Sequence, residues 1–98
     1  MADALIIELK KPIKAHGQEL TTLTLREPVP EDLMQIGSPI LIIPSATGDS
    51  GMEVRAKIIG AYIAKLGGIP PSSVKDLHLA DFMKCQEQLL PLLQGEGT

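Results

Sequence analysis

The chain has one cysteine, Cys85, no tryptophan, one tyrosine, Tyr62, and one phenylalanine, Phe82. A single thiol excludes an intramolecular disulfide and fits a reducing compartment. Two aromatics give no stacking platform of the kind that single-stranded nucleic-acid binders use. Nine Lys and Arg against twelve Asp and Glu leave a net charge of −3. No basic face is therefore expected for phosphate contacts, and nucleic-acid binding is not expected. Long apolar runs are also missing. Ile40-Leu41-Ile42-Ile43 stands between Pro39 and Pro44, far short of the roughly 20 residues a membrane span requires. Met1-Ala2-Asp3-Ala4-Leu5 lacks the basic region and apolar run of a secretion signal. These absences predict a soluble, intracellular protein.

What is present is aliphatic. Of the 98 residues 44% are hydrophobic, and the length predicts a single domain over 1–98, since domains commonly run to roughly 100–150 residues. Met52 to Leu66 organises the rest. There Ile58, Ile59, Tyr62, Ile63 and Leu66 recur at helical spacing and form one apolar stripe. Ser50 with Glu53 reads as a capping box, which predicts a main helix over 51–66, with Glu53 supporting Lys57 four residues on. Gly67 is expected to stop it, and Pro70-Pro71 forbid its continuation.

Before that helix, Leu5, Ile7 and Leu9 alternate with Ile6, Glu8 and Lys10, and so do Leu23 and Leu25 with Thr22 and Thr24. This is strand periodicity, and Gly17 between the strands predicts an antiparallel β-hairpin over 5–26, with Pro12 ending or edging its first strand. A hairpin alone is marginal in water and must pack on the stripe of the main helix. Pro30, Glu31 and Asp32 predict a short helix over 30–37, its Leu33, Met34 and Ile36 turned inward and its carboxylates serving the helix dipole. Periodicity does not decide whether Ile40–Ile43 is a third strand or an apolar loop. The 44–51 stretch is turn-forming and expected to be mobile. Ser72 or Ser73 should cap a helical turn over 72–77. A C-terminal helix over 80–93 follows, kinked or cut short by Pro91, and then a flexible tail over 94–98. The fold class expected is α+β, a hairpin packed on two or three helices.

Catalytic equipment is not in view. Gly48-Asp49-Ser50-Gly51 imitates the nucleophile segment of a serine protease, with His16 and Asp32 in that order before it. A triad needs a preorganised scaffold far larger than this chain, and Ser50 reads as a helix cap. His16, His78 and Cys85 lack metal-ligand spacing. The Gly67-Gly68 pair lacks the lysine of a phosphate loop. No cofactor or metal is expected, and no enzyme.

Several stretches do resemble a known family. Leu9-Lys10-Lys11-Pro12-Ile13, Gly17, Leu23-Thr24-Leu25-Arg26-Glu27-Pro28 and Asp32-Leu33-Met34 come first. Leu66-Gly67-Gly68-Ile69-Pro70-Pro71-Ser72-Ser73-Val74, Leu77, Asp81-Phe82-Met83 and Gln86 follow in order. Together they resemble the tail assembly chaperones of contractile-tailed and Mu-like phages and prophages. The resemblance implies a non-enzymatic protein that holds the tape-measure protein soluble until tail-tube subunits displace it. It also implies the host bacterial cytoplasm as the place of action, absence from the mature virion, and a longer frameshifted form in many members. A structural tail or baseplate subunit retained as an oligomer is the alternative.

A partner of long helical proteins needs an apolar face more than a fitted pocket. Leu89, Leu90, Leu92 and Leu93 around Pro91 are the expected partner-binding surface, since one helix face cannot bury them all. Met83 joins them, being, like Met34 and Met52, an adaptable side chain. The same surface allows self-association.

Overall fold

The computed structural model describes residues 4–44 and 50–93, without the side chains of 41–44, 50 and 52. The tail over 94–98, the Met52 side chain and most of the 44–51 loop therefore lie outside the described residues. The architecture is α+β. Strands β1 (Leu5–Ala15) and β2 (Gln18–Leu25) form the antiparallel hairpin, followed by helix α1 (Pro30–Ile36). Strands β3 (Ile40–Pro44) and β4 (Ser50–Val54) make a second antiparallel hairpin. Helices α2 (Ala56–Gly67), α3 (Pro71–Lys75) and α4 (Leu79–Leu93) complete the chain.

The first hairpin turns on His16 and Gly17, both at positive φ (53° and 76°). Two left-handed residues in a two-residue loop match the twist of the flanking strands, and His tolerates this region better than most side chains. The imidazole Nε2 of His16 lies 2.9 Å from the carbonyl oxygen of Gly68. Gly68 is itself left-handed and caps α2. The turn and the helix end are thus tied together.

Pro12 does not end β1. Glu8 pairs with Thr22 and Ile13 with Leu20, so residues 9–12 of β1 face only Thr21. The strand bows out where Pro12 has no N–H to give, then pairs again through Lys14 and Ala15. Ile7, Ile13, Ala15, Leu23 and Leu25 point inward from this hairpin.

They meet Ile59, Tyr62, Ile63 and Leu66 from α2, with Cys85 and Leu89 from α4. The expected stripe of α2 is therefore the core, with Ile58 at its half-buried edge. Its N-terminal boundary needs correction. Ser50 and Glu53 belong to β4 rather than to a capping box, and Arg55 precedes the first helical residue, Ala56. Pairing of Ile40 with Val54 and Leu41 with Glu53 outcompetes a local cap, because each ladder pair satisfies backbone groups on two strands. The Ile40–Ile43 stretch is accordingly a strand.

Gly67 is the last residue of α2, not its stop. A Cβ there would stand 3.2 Å from side-chain atoms of both Leu23 and Leu25, so its role is close approach of helix to sheet. The left-handed stop is Gly68 (φ 64°). On α3, Pro70 precedes the helix and Pro71 opens it. Ser73 is no cap: buried, its hydroxyl donates to the Lys14 carbonyl oxygen at 2.6 Å. Helix α4 runs through Pro91 to Leu93 rather than ending early. The proline comes late, and Leu90 and Leu93 pack against the core on either side of it.

Candidate functional site

Two buried carboxylates hold the helices around this core. Asp32 faces inward from α1 at 1% exposure, while Leu33 and Met34 are exposed at 45% and 84%. This reverses the expected orientation of the helix, of whose three apolar residues only Ile36 packs on the core. The reason is the number of partners Asp32 finds. Both Arg26 guanidinium NH groups donate to it at 2.9 Å, one to each oxygen. The Val29 N–H donates at 2.9 Å, and Lys65 Nζ lies 3.3 Å away. These donors hold its carboxyl well below the ordinary carboxylate range, Arg26 first, against the opposing effect of burial. Lys65 also donates to Gln35, and the Tyr62 hydroxyl donates to the Gly37 carbonyl oxygen at 2.8 Å. The amphipathic α1 is thus pinned to α2 by its polar face, and its apolar face looks outward.

Asp81, 3% exposed, does the equivalent for α4. It accepts the backbone N–H of Lys10 at 2.9 Å to both oxygens and that of Lys11 at 3.2 Å. These amides belong to the bowed segment of β1. One turn further along α4, Cys85 is fully buried. Burial, with the Asp81 charge adding, pushes its thiol up to about 11. It is a core residue rather than a nucleophile.

The expected partner-binding residues divide. Leu89 is fully buried and belongs to the core, which corrects its place in the contact surface. Its α4 position is in register with Cys85 one turn earlier, so it faces the hairpin and α2. Leu90 and Leu93 are half-buried. Leu92 and Leu93 reach a cleft of about 240 Å³ shared with Pro28, Val29, Pro30 and Leu33. Met83 is half-exposed on α4.

Sequence reasoning missed the larger concavity. An open apolar groove of about 540 Å³ runs along α2, α3 and the start of α4. Gly60 and Ala61 form its floor, with Val74, Leu77, Leu79 and Phe82 as walls. A Cβ on Gly60 would meet Val74 and Phe82 at ordinary contact distance, 3.7 and 3.9 Å. The available signal was the run of small residues, Gly60-Ala61, beside the apolar stripe of α2. Lys57 and Lys75 are the charged residues of the lining.

Of the residues that imitate a triad, Asp32 is bound up with Arg26 and Lys65, His16 lies against the Gly68 carbonyl oxygen, and the Ser50 side chain is outside the described residues. Among the described residues no group of three His, Cys, Asp or Glu side chains is placed to hold a metal ion. No helix among them is long and apolar enough to cross a membrane. Among the described residues the surface includes these two apolar concavities, on a chain of net charge −3.

No curated protein and no solved structure matches the chain significantly. Residues 6–94, nearly its whole length, match the model of the family described as "Phage tail assembly chaperone proteins, E, or 41 or 14", and the chain belongs to that family.

Proposed function

We propose that this tail assembly chaperone works by binding, not catalysis. Its client is the long tape-measure protein, held soluble and competent while the tail tube assembles around it. The observation that carries this reading is family membership over residues 6–94. Its physical support is the outward apolar surface of Val29, Leu33, Met34, Leu79 and Met83. Such a surface suits a long amphipathic client better than a small substrate. Tail-tube subunits would then take the client over, in the host bacterial cytoplasm, leaving no chaperone in the mature virion.

The test is co-expression with a tape-measure protein from the same phage or prophage, each also made alone, together with analysis of purified particles. Client insoluble alone, soluble in complex, and particles free of the chaperone are the expected results. A client indifferent to this chain, with the chain retained in particles, would replace the chaperone reading with that of a structural tail or baseplate subunit.

A further inference from the structure

We propose that the groove along α2, α3 and α4 seats an amphipathic helix of a partner, with an apolar stripe flanked by carboxylates. The naming of that partner as the client rests on the reading above; the groove and its charge preference do not. Three observations converge on this occupant.

First, the groove walls and floor are apolar and open to solvent, and α2 presents Ala56 and Ala61 as exposed small residues along it. A second helix can therefore approach closely, since crossing distance is set by the side chains at the contact. Second, acidic residues outnumber basic ones in the chain, yet both charged residues lining this groove are lysines, Lys57 and Lys75, exposed at its rim. Neither makes an ion pair among the described residues. Third, Lys57 stands in the first turn of α2, which has no acidic residue there, two residues after Arg55 at the cap. Cations at the positive end of a helix dipole work against the helix. A carboxylate delivered by the partner would offset both the dipole and the lysine charge.

A second copy of the chain fits less well. Its exposed helical apolar residues are Leu33 and Met34 on the seven-residue α1, and Leu79 and Met83 on α4, where Leu79 already lines the groove. The other face of α1 is held by Lys65 and Tyr62.

The probes are two synthetic helical peptides of about 18 residues, roughly five turns. They share one leucine stripe and differ in carrying Glu or Lys along its flanks. Binding to the full chain is followed by calorimetry. The Glu-flanked peptide should bind at least about tenfold tighter at low salt, and the difference should shrink as salt screens it. Lys57→Glu with Lys75→Glu, both on exposed positions, should reverse the preference. Ala61→Trp, which fills the floor from an exposed position, should abolish binding of either. Equal affinity for the two peptides, or undiminished binding by a folded Ala61→Trp chain, would overturn the proposal. So would a concentration-dependent dimer of the native chain that Ala61→Trp dissolves.

Co-expression of the native and Ala61→Trp chains with the tape-measure protein separates this from the chaperone reading. Solubilisation by the native chain alone supports both. Solubilisation by both chains leaves the chaperone reading standing and overturns the client as the occupant of the groove, which the peptide arm then tests alone. Solubilisation by neither, with the Glu-flanked peptide still bound, keeps the groove and overturns the choice of client.

Discussion

The carboxylate of Asp81 lies 2.9 Å from the backbone nitrogen of Lys10, 71 residues away along the chain. It accepts that N–H with both oxygens and reaches the Lys11 N–H as well, where β1 has bowed away from β2. The bow around Pro12 frees two amides from the ladder, and a buried side chain on α4 takes them up. Strand and helix are thereby joined at a defined register, through charge-assisted bonds that neutral acceptors would not match.

Asp81→Ala should cost about 2–4 kcal/mol, because it takes a buried acceptor away from two backbone amides. Asp81→Asn keeps one carbonyl acceptor and should cost less. Urea melts of the three chains decide it. A loss below about 1 kcal/mol for Asp81→Ala would mean water reaches the bow and satisfies the amides.

The Asp32 cluster makes acid stability specific to one residue. Its carboxyl is held below its ordinary value of 3.8 by Arg26, the Val29 N–H and Lys65. The unfolded chain therefore takes up the proton first as pH falls. Its stabilisation is complete above the ordinary value and is lost progressively below it. Native and Asp32→Asn chains melted across that range should converge towards acid, since the variant has nothing to lose there. A constant gap between them would exclude Asp32 as the titrating group.

Gly60 within α2 and Gly68 at its C-terminal cap should respond in opposite directions. Gly60→Ala meets Val74 and Phe82 at ordinary distance and gains helix propensity, so it should stabilise by about 0.5–1 kcal/mol. Gly68→Ala must hold a Cβ at φ 64° and should destabilise by about 1–2 kcal/mol. In thermal melts, a Gly68→Ala chain no less stable than the native would contradict Gly68 as the left-handed stop.

The division of the leucine cluster is equally open to measurement. Leu89→Ala removes a fully buried side chain and should cost about 2–5 kcal/mol. Leu92→Ala, on the rim of the small cleft, should cost under about 1 kcal/mol. Ile63→Asp, which puts an unpaired charge in the core, should abolish the cooperative transition. Equal losses at Leu89 and Leu92 would place both in the core.

Periodicity alone determined much of this protein. The alternation around Ile7 and Leu23 defined a hairpin with its buried face. The stripe of Ile59, Tyr62, Ile63 and Leu66 defined the helix that covers it. Both signals are local, because one buried face repeats every two or about 3.6 residues wherever the chain packs. Successive motifs also carried the family resemblance that the match over residues 6–94 upheld.

Tertiary structure decided whatever depends on a distant partner. Ser50 and Glu53 have the local pattern of a helix start, but Ile40–Pro44 pairs with them as a strand. Asp32 is the first-turn carboxylate that its position indicates, but Arg26 and Lys65 also draw it inward and so turn Leu33 and Met34 to solvent. Leu89 and Leu92 read alike in sequence, and only the packing of α4 against the hairpin and α2 sends one into the core and the other to its rim. The groove beside Gly60 forms because α3 and α4 stand beside α2 without filling the space over its small residues. A single sequence records which side chains are apolar; which of them remain uncovered depends on what folds over them.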